Sequence, residues 1–369
     1  MLIFEIVILF MYGFYASYTT TSYTTRLEYI LTNALAVLGF GLLLVYFKNS
    51  IKQTLVIALL VCAINAQLGP LLQQFWYDVF INGFKKTYGI PTNSTFKLIE
   101  DTATIDVRNF TLGFVRISTF CSISLLVALS GVTGKIGLVN NLLSTFVFNI
   151  GFNLNYYLNY SIYYHTGPSS FTSFIMDDFQ GSRVFMFGAG FGLALLILYN
   201  KFNPVQRVER VVYTDTFSSL FTLLGTSFVL ALFYFVLDTY TNTNKSYALL
   251  NIFFAFSGSI VSSIAVTCII GEAISFHHIN MTIISGVLQI SIIGGFIRTP
   301  YVSILVGAFA GIVTSLLSHY LQPKINQTKI IDAKGIFIVY FINCLLCSYF
   351  ISPIIIKAYE NYYTNLSYN

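Results

Sequence analysis

The chain has 369 residues, 56% hydrophobic and 9% charged, with a formal net charge of +5 at pH 7. Ordinary soluble domains carry roughly 25% charge, and with no basic run and no polar domain, a nucleic-acid-binding module is excluded as well. What remains is an all-α polytopic membrane protein, because long apolar runs recur throughout, where a membrane barrel would show alternating segments of about 10 residues.

A bilayer-spanning helix needs roughly 20 predominantly apolar residues, and that rule predicts about eleven spans in this sequence. Span 1 covers residues 2–18. It reads as a retained helix, with a signal peptide as the alternative, since no basic residue precedes it and no clean cleavage site follows. Spans 2 and 3 cover 28–47 and 54–75, and a polar loop from Lys85 to Asp106 follows. Spans 4, 5 and 6 cover 108–130, 136–158 and 180–200. Spans 7 to 11 cover 217–238, 247–270, 280–297, 302–321 and 335–356. No sizeable soluble insertion interrupts them, so residues 1–369 read as a single membrane domain. Lysines and arginines in short loops, Lys48, Lys135, Lys201, Arg207 and Lys334 among them, favour a cytoplasmic N-terminus. Asn-x-Ser/Thr acceptors at Asn93, Asn159, Asn244 and Asn365 then lie outside and Asn109 at the outer edge of span 4, whereas those at Asn280 and Asn326 do not.

The residues that carry enzyme chemistry do not assemble. His165, His277, His278 and His319 have no Cys, Asp or Glu at a metal-ligand or nucleophile spacing. The expectation is therefore no catalytic residue, no metal and no cofactor. His277 and His278 read as a polar turn ahead of span 9. Cys344 and Cys347 form a C-x-x-C inside a continuous apolar run, which reads as two buried thiols. Glu5, Arg116 and Asp238 lie near span ends, within reach of the interface. No acidic residue marks the midplane, as an ion-coupled carrier requires. Small-residue faces such as Gly188, Ala189, Gly190 and Gly192, and Gly307 with Gly311, mark close helix packing.

Several ordered stretches resemble the ammonium transporter/Rhesus (Amt/Rh) family, its Rh branch in particular. They are Gly134-Lys135-Ile136-Gly137-Leu138, Phe187-Gly188-Ala189-Gly190-Phe191-Gly192-Leu193, and Ser218 to Thr226. His277-His278-Ile279-Asn280-Met281-Thr282 leading into Ser285-Gly286-Val287 continues the order, as do Gly307 to Ser315 and Ile331 to Ile336. The resemblance covers most of residues 110–340; spans 1 to 3 fit only by position. It implies a bundle of two inverted five-helix halves plus one N-terminal helix, with a pore in each subunit of a homo- or hetero-trimer in the lipid bilayer. Residues 28–200 and 217–356 are the two halves on that reading. No counterpart of the family's last peripheral helix follows Lys357.

The resemblance also implies pore positions. The acidic residue of the outer vestibule falls on Asp177, or on Asp178 with a one-residue gap. The first of two stacked Phe rings matches Phe120. The second falls on Val236, beside Phe235. The paired pore histidines, which give ammonia a hydrogen-bonding partner, fall on Phe185 and on either Phe337 or Tyr340. A Phe is larger than a His and offers no nitrogen, so the implied ammonium/ammonia (or neutral gas) transport is expected to be altered or lost. The alternative is a non-conducting structural or assembly subunit, for which the family's histidine-lacking members are a precedent.

Overall fold

Helices that are apolar nearly all the way round must be enclosed by other helices or by lipid, and this chain is built almost entirely from them. The computed structural model describes residues 6–7, 17–18, 34–36, 38–43, 51–77, 79, 109–110, 112–132, 137–166, 181–202, 216–236, 242–271, 275–295, 297–327, 335–355 and 357–358. The helices are α1 (Ala34–Leu43), α2 (Ile51–Tyr77), α3 (Leu112–Ser130) and α4 (Leu138–Thr166). Next come α5, a π-helical turn over Gly181–Met186 that continues as an α-helix over Phe187–Phe202, and α6 (Thr216–Val236). Then follow α7 (Asn242–Ile270), α8 (Phe276–Ile293), α9 (Pro300–Tyr320) and the short α10 (Gln322–Gln327). The last is α11, apolar over Phe337–Ile355. Among the described residues, five helices are long and apolar enough to cross a membrane, in α2, α7, α8, α9 and α11. Among the described residues, Ser17–Tyr18 pairs in parallel with Asn109–Phe110.

Most helix bounds fall within a few residues of the sequence expectation. Two differ in a way that matters. The fifth span, expected over 136–158, runs on to Thr166 as a 29-residue helix. Nothing in its Asn- and Tyr-rich tail breaks a helix, although hydropathy fades there. His277 and His278 do not form a turn ahead of a span; they lie in the first turn of α8. Ser275 is the N-cap, and its Oγ accepts from the His278 backbone N–H at 3.2 Å. The expected span 1 lies almost wholly outside the described residues.

Two helices occupy the centre. On α3, Cys121, Leu125, Ala128 and Leu129 are fully buried. On α8, every residue from Asn280 to Ile293 is buried. Outer helices present large apolar side chains to the surroundings, such as Val139 on α4, Val261 and Ile269 on α7 and Leu305 on α9, as the lipid-facing side of a bundle does.

Close approach explains the glycine pairs. A Cβ on Gly192 would lie 2.6 Å from the Ala128 carbonyl oxygen, and one on Gly188 would meet the Ser124 carbonyl. Both contacts are with backbone, so α5 sits directly against α3 along this face. Gly307 and Gly311 on α9 do the same against Ala255 and Ser259 on α7. Polar side chains inside the bundle bond between helices or back onto their own, as lipid demands. Asn149 donates to Asn65 Oδ1 at 2.5 Å and accepts from the Cys121 thiol at 3.3 Å, tying α4 to α2 and α3. Gln289 donates to Asn343 Oδ1 at 2.8 Å, and Asn343 donates to Thr314 Oγ1 at 3.0 Å, tying α8, α11 and α9. Thr314 in turn donates to Ser285 Oγ at 2.8 Å. The buried thiol of Cys347 donates to the Gln289 carbonyl at 2.9 Å, so one half of the C-x-x-C is a helix-packing contact.

Candidate functional site: an aromatic stack on two π-helical turns

A π-helical turn is wider than an α-helical one and recurs at functional sites. Here α5 and α11 both open with one, over Gly181–Met186 and Phe337–Ile342. Widening a turn disturbs its carbonyl ladder, and a buried carbonyl needs a donor. A side chain supplies one in each case. Ser124 Oγ donates to the Val184 carbonyl at 2.5 Å, and Asn343 Nδ2 donates to the Ile338 carbonyl at 2.8 Å. Both wide turns are thus fixed by neighbours inside the bundle.

Each turn carries one aromatic ring to the centre. Phe185 is 4% exposed and Tyr340 8%. Their rings stack, with centroids 6.1 Å apart and planes at 17°. Phe40 on α1 continues the column, 6.1 Å from Phe185 at 31°. Helices α1, α5 and α11 therefore meet through three rings. The orientation of α5 is fixed from behind by Phe187 and Phe191, which pack edge-on against Phe148 at 5.4 and 4.9 Å.

Of the two candidates on α11, Tyr340 is the one in ring contact with Phe185. Phe337 stacks instead on Phe341, 5.7 Å away at 15°. Phe120 is buried on α3. Val236 is the final residue of α6, and its side chain lies outside the described residues, as do Asp177 and Asp178.

Directly beside the stack is a cavity of about 50 Å³. Phe40 and Tyr340 line it together with Leu126, Ile284 and half-buried His277. Among the described residues, no group of three or more His, Cys, Asp or Glu side chains gathers as metal ligands. Among the described residues, neither a charge nor an imidazole belongs to the ring column of Phe40, Phe185 and Tyr340. Sequence reasoning missed Phe40, which carries no signal in an apolar span, and the two π-helical turns, which have no periodic signature.

No family model matches the chain. Its sequence is 23% identical over 303 residues to "Ammonium transporter Rh type C" of Xenopus laevis, covering 81% of this chain and 57% of the relative. It is 25% identical over 317 residues to the protein of the same name from Rattus norvegicus, covering 82% and 55%. The chain thus spans a little over half the length of these curated relatives. Among solved structures, it superposes on Nitrosomonas europaea Rh50, described as a member of the "Rhesus protein family of channels", with a TM-score of 0.71 at 18% identity, covering 88% of this chain and 77% of that one. Saccharomyces cerevisiae Mep2 gives a TM-score of 0.63 at 14% identity, covering 89% and 73%.

Proposed function

We propose, on the premise that this chain is a divergent Rh-like member of the ammonium transporter/Rhesus family with that family's membrane fold, that it is an integral membrane protein of the ammonium-transport class whose central route is closed to ammonium. On this reading Phe185 and Tyr340 stand where the resemblance puts the pore histidines, and Phe120, Val236 and Asp177 belong to the outer part of the same route. The two inverted halves, 28–200 and 217–356, enclose it. The observation that carries the reading is the parallel contact of two buried rings, Phe185 and Tyr340, at 6.1 Å.

The physics supports closure on two counts. The ring faces fill the space that a permeant needs. The faces carry no lone pair, so an ammonium between them has at most the Tyr340 hydroxyl as an acceptor, and transfer into a setting so short of partners costs several kcal/mol or more. Neutral ammonia likewise loses its hydrogen bonds there. A chain with this fold and no ammonium route serves as a structural or assembly subunit, with trimer formation through its outer faces. The test is uptake of labelled methylammonium by purified protein in proteoliposomes. The reading expects uptake equal to that of protein-free vesicles; robust saturable uptake returns the chain to the conducting members of the class.

A further inference from the structure

The cavity beside the rings holds a group that the closed-route reading does not use. Asn280 is 2% exposed and lines the cavity. Neither its Oδ1 nor its Nδ2 has a hydrogen-bond partner among the described residues. By contrast, buried Asn149 and Asn343 bond as described above, Asn251 Nδ2 donates to the Gly294 and Ile297 carbonyls, and Asn65 accepts through its Oδ1. A buried amide with neither end satisfied costs the full desolvation of both groups, so a native fold keeps one where something else completes it. Here the space to do so adjoins it. A volume of about 50 Å³ admits a few water-sized positions at about 10–15 Å³ each.

The chemistry of the walls restricts the occupant. Asn280 presents an acceptor and two donors side by side. Ser130, Thr222 and His277 supply further polar atoms, and with no Asp or Glu in the described walls a cation would find no counter-charge. Phe40, Leu43, Leu126 and Ile284 offer apolar contact. We infer that Asn280 and this cavity form a binding site for a small uncharged amide, whose carbonyl accepts from Asn280 Nδ2 while its N–H donates to Asn280 Oδ1. The amide group is self-complementary in this paired geometry, and a methyl-sized remainder lies against the apolar wall. The site stands whether or not the central route conducts.

Saturation-transfer NMR on the purified full chain in detergent tests this with acetamide and with acetone, which keeps the shape and carbonyl but lacks the N–H donor. Protein-free micelles are the control. The site predicts saturable acetamide binding, with acetone weaker by roughly tenfold, the worth of about one net hydrogen bond. Asn280→Leu should abolish the acetamide signal while the variant melts no lower than the parent, because an unpaired buried amide has been replaced by an apolar group of similar size. If Asn280→Leu does not fold, the acetamide–acetone contrast on the parent chain decides. Absence of saturable acetamide binding, leaving only water in the cavity, overturns the inference, and so does equal binding of acetone.

Discussion

Replacing Phe185 by Ala removes the middle ring of the column and opens the space between Tyr340 and Phe40. The structure sets two magnitudes. Swinging Phe185 clear in the parent chain breaks its contacts with Tyr340 and Phe40, both at 6.1 Å. At about 0.5–1.5 kcal/mol for each aromatic pair, the open state is disfavoured by about 1–3 kcal/mol from these contacts alone, or roughly 5–150-fold in population. Truncation abolishes that term and removes the ring itself, so methylammonium or ammonia flux through Phe185→Ala should rise clearly above the empty-vesicle level expected of the parent. It should also carry a stability loss of about 3–5 kcal/mol, as for other buried Phe→Ala changes. The assay is paired, with stopped-flow flux into proteoliposomes and the melting temperature of the same preparation. A truncated variant that is folded, less stable and no more permeable than the parent refutes the idea that Phe185 is the obstruction. So does an increase of equal size from Phe337→Ala, whose ring stacks on Phe341 instead.

Gly192→Ala places a methyl 2.6 Å from the Ala128 carbonyl and should destabilise by about 1–3 kcal/mol. Gly190→Ala, whose new methyl comes no closer than 3.7 Å to Phe341, should leave the melting temperature nearly unchanged. Asn343→Ala removes the partner of Gln289 and Thr314 and the donor to Ile338, and should lower stability by about 1–3 kcal/mol. In the native state the thiols of Cys121, Cys344 and Cys347 should resist a maleimide probe because all three are fully buried. The exposed Cys268 should react first, as mass spectrometry of the labelled chain would show.

The sequence carried the fold well because lipid leaves so few options. Runs of apolar residues delimited most of the helices, and Gly188 with Gly192 identified the face that meets α3. The same stretch marked Phe185 as the residue that departs from the Rh pattern. Which of Phe337 and Tyr340 meets the Phe185 ring depended on the turn geometry. They are three positions apart on α11, and a π-helical turn changes which of them faces Phe185. His277 and His278 were misread as a turn because helix capping by Ser275 outweighed their polarity. Phe40 could not be singled out, since one Phe among 36 has no mark of position. Asn280 stood inside a matched segment, yet its lack of a partner is a property of three dimensions.

The Phe185–Tyr340 contact either shuts the central route or leaves it open. The direct measurement is the internal-pH transient of proteoliposomes containing the unaltered chain after an ammonium pulse, which reports both ammonia and ammonium entry. The stack predicts a transient superimposable on that of empty vesicles across ammonium concentrations. A faster transient that saturates with ammonium and scales with protein content would contradict it.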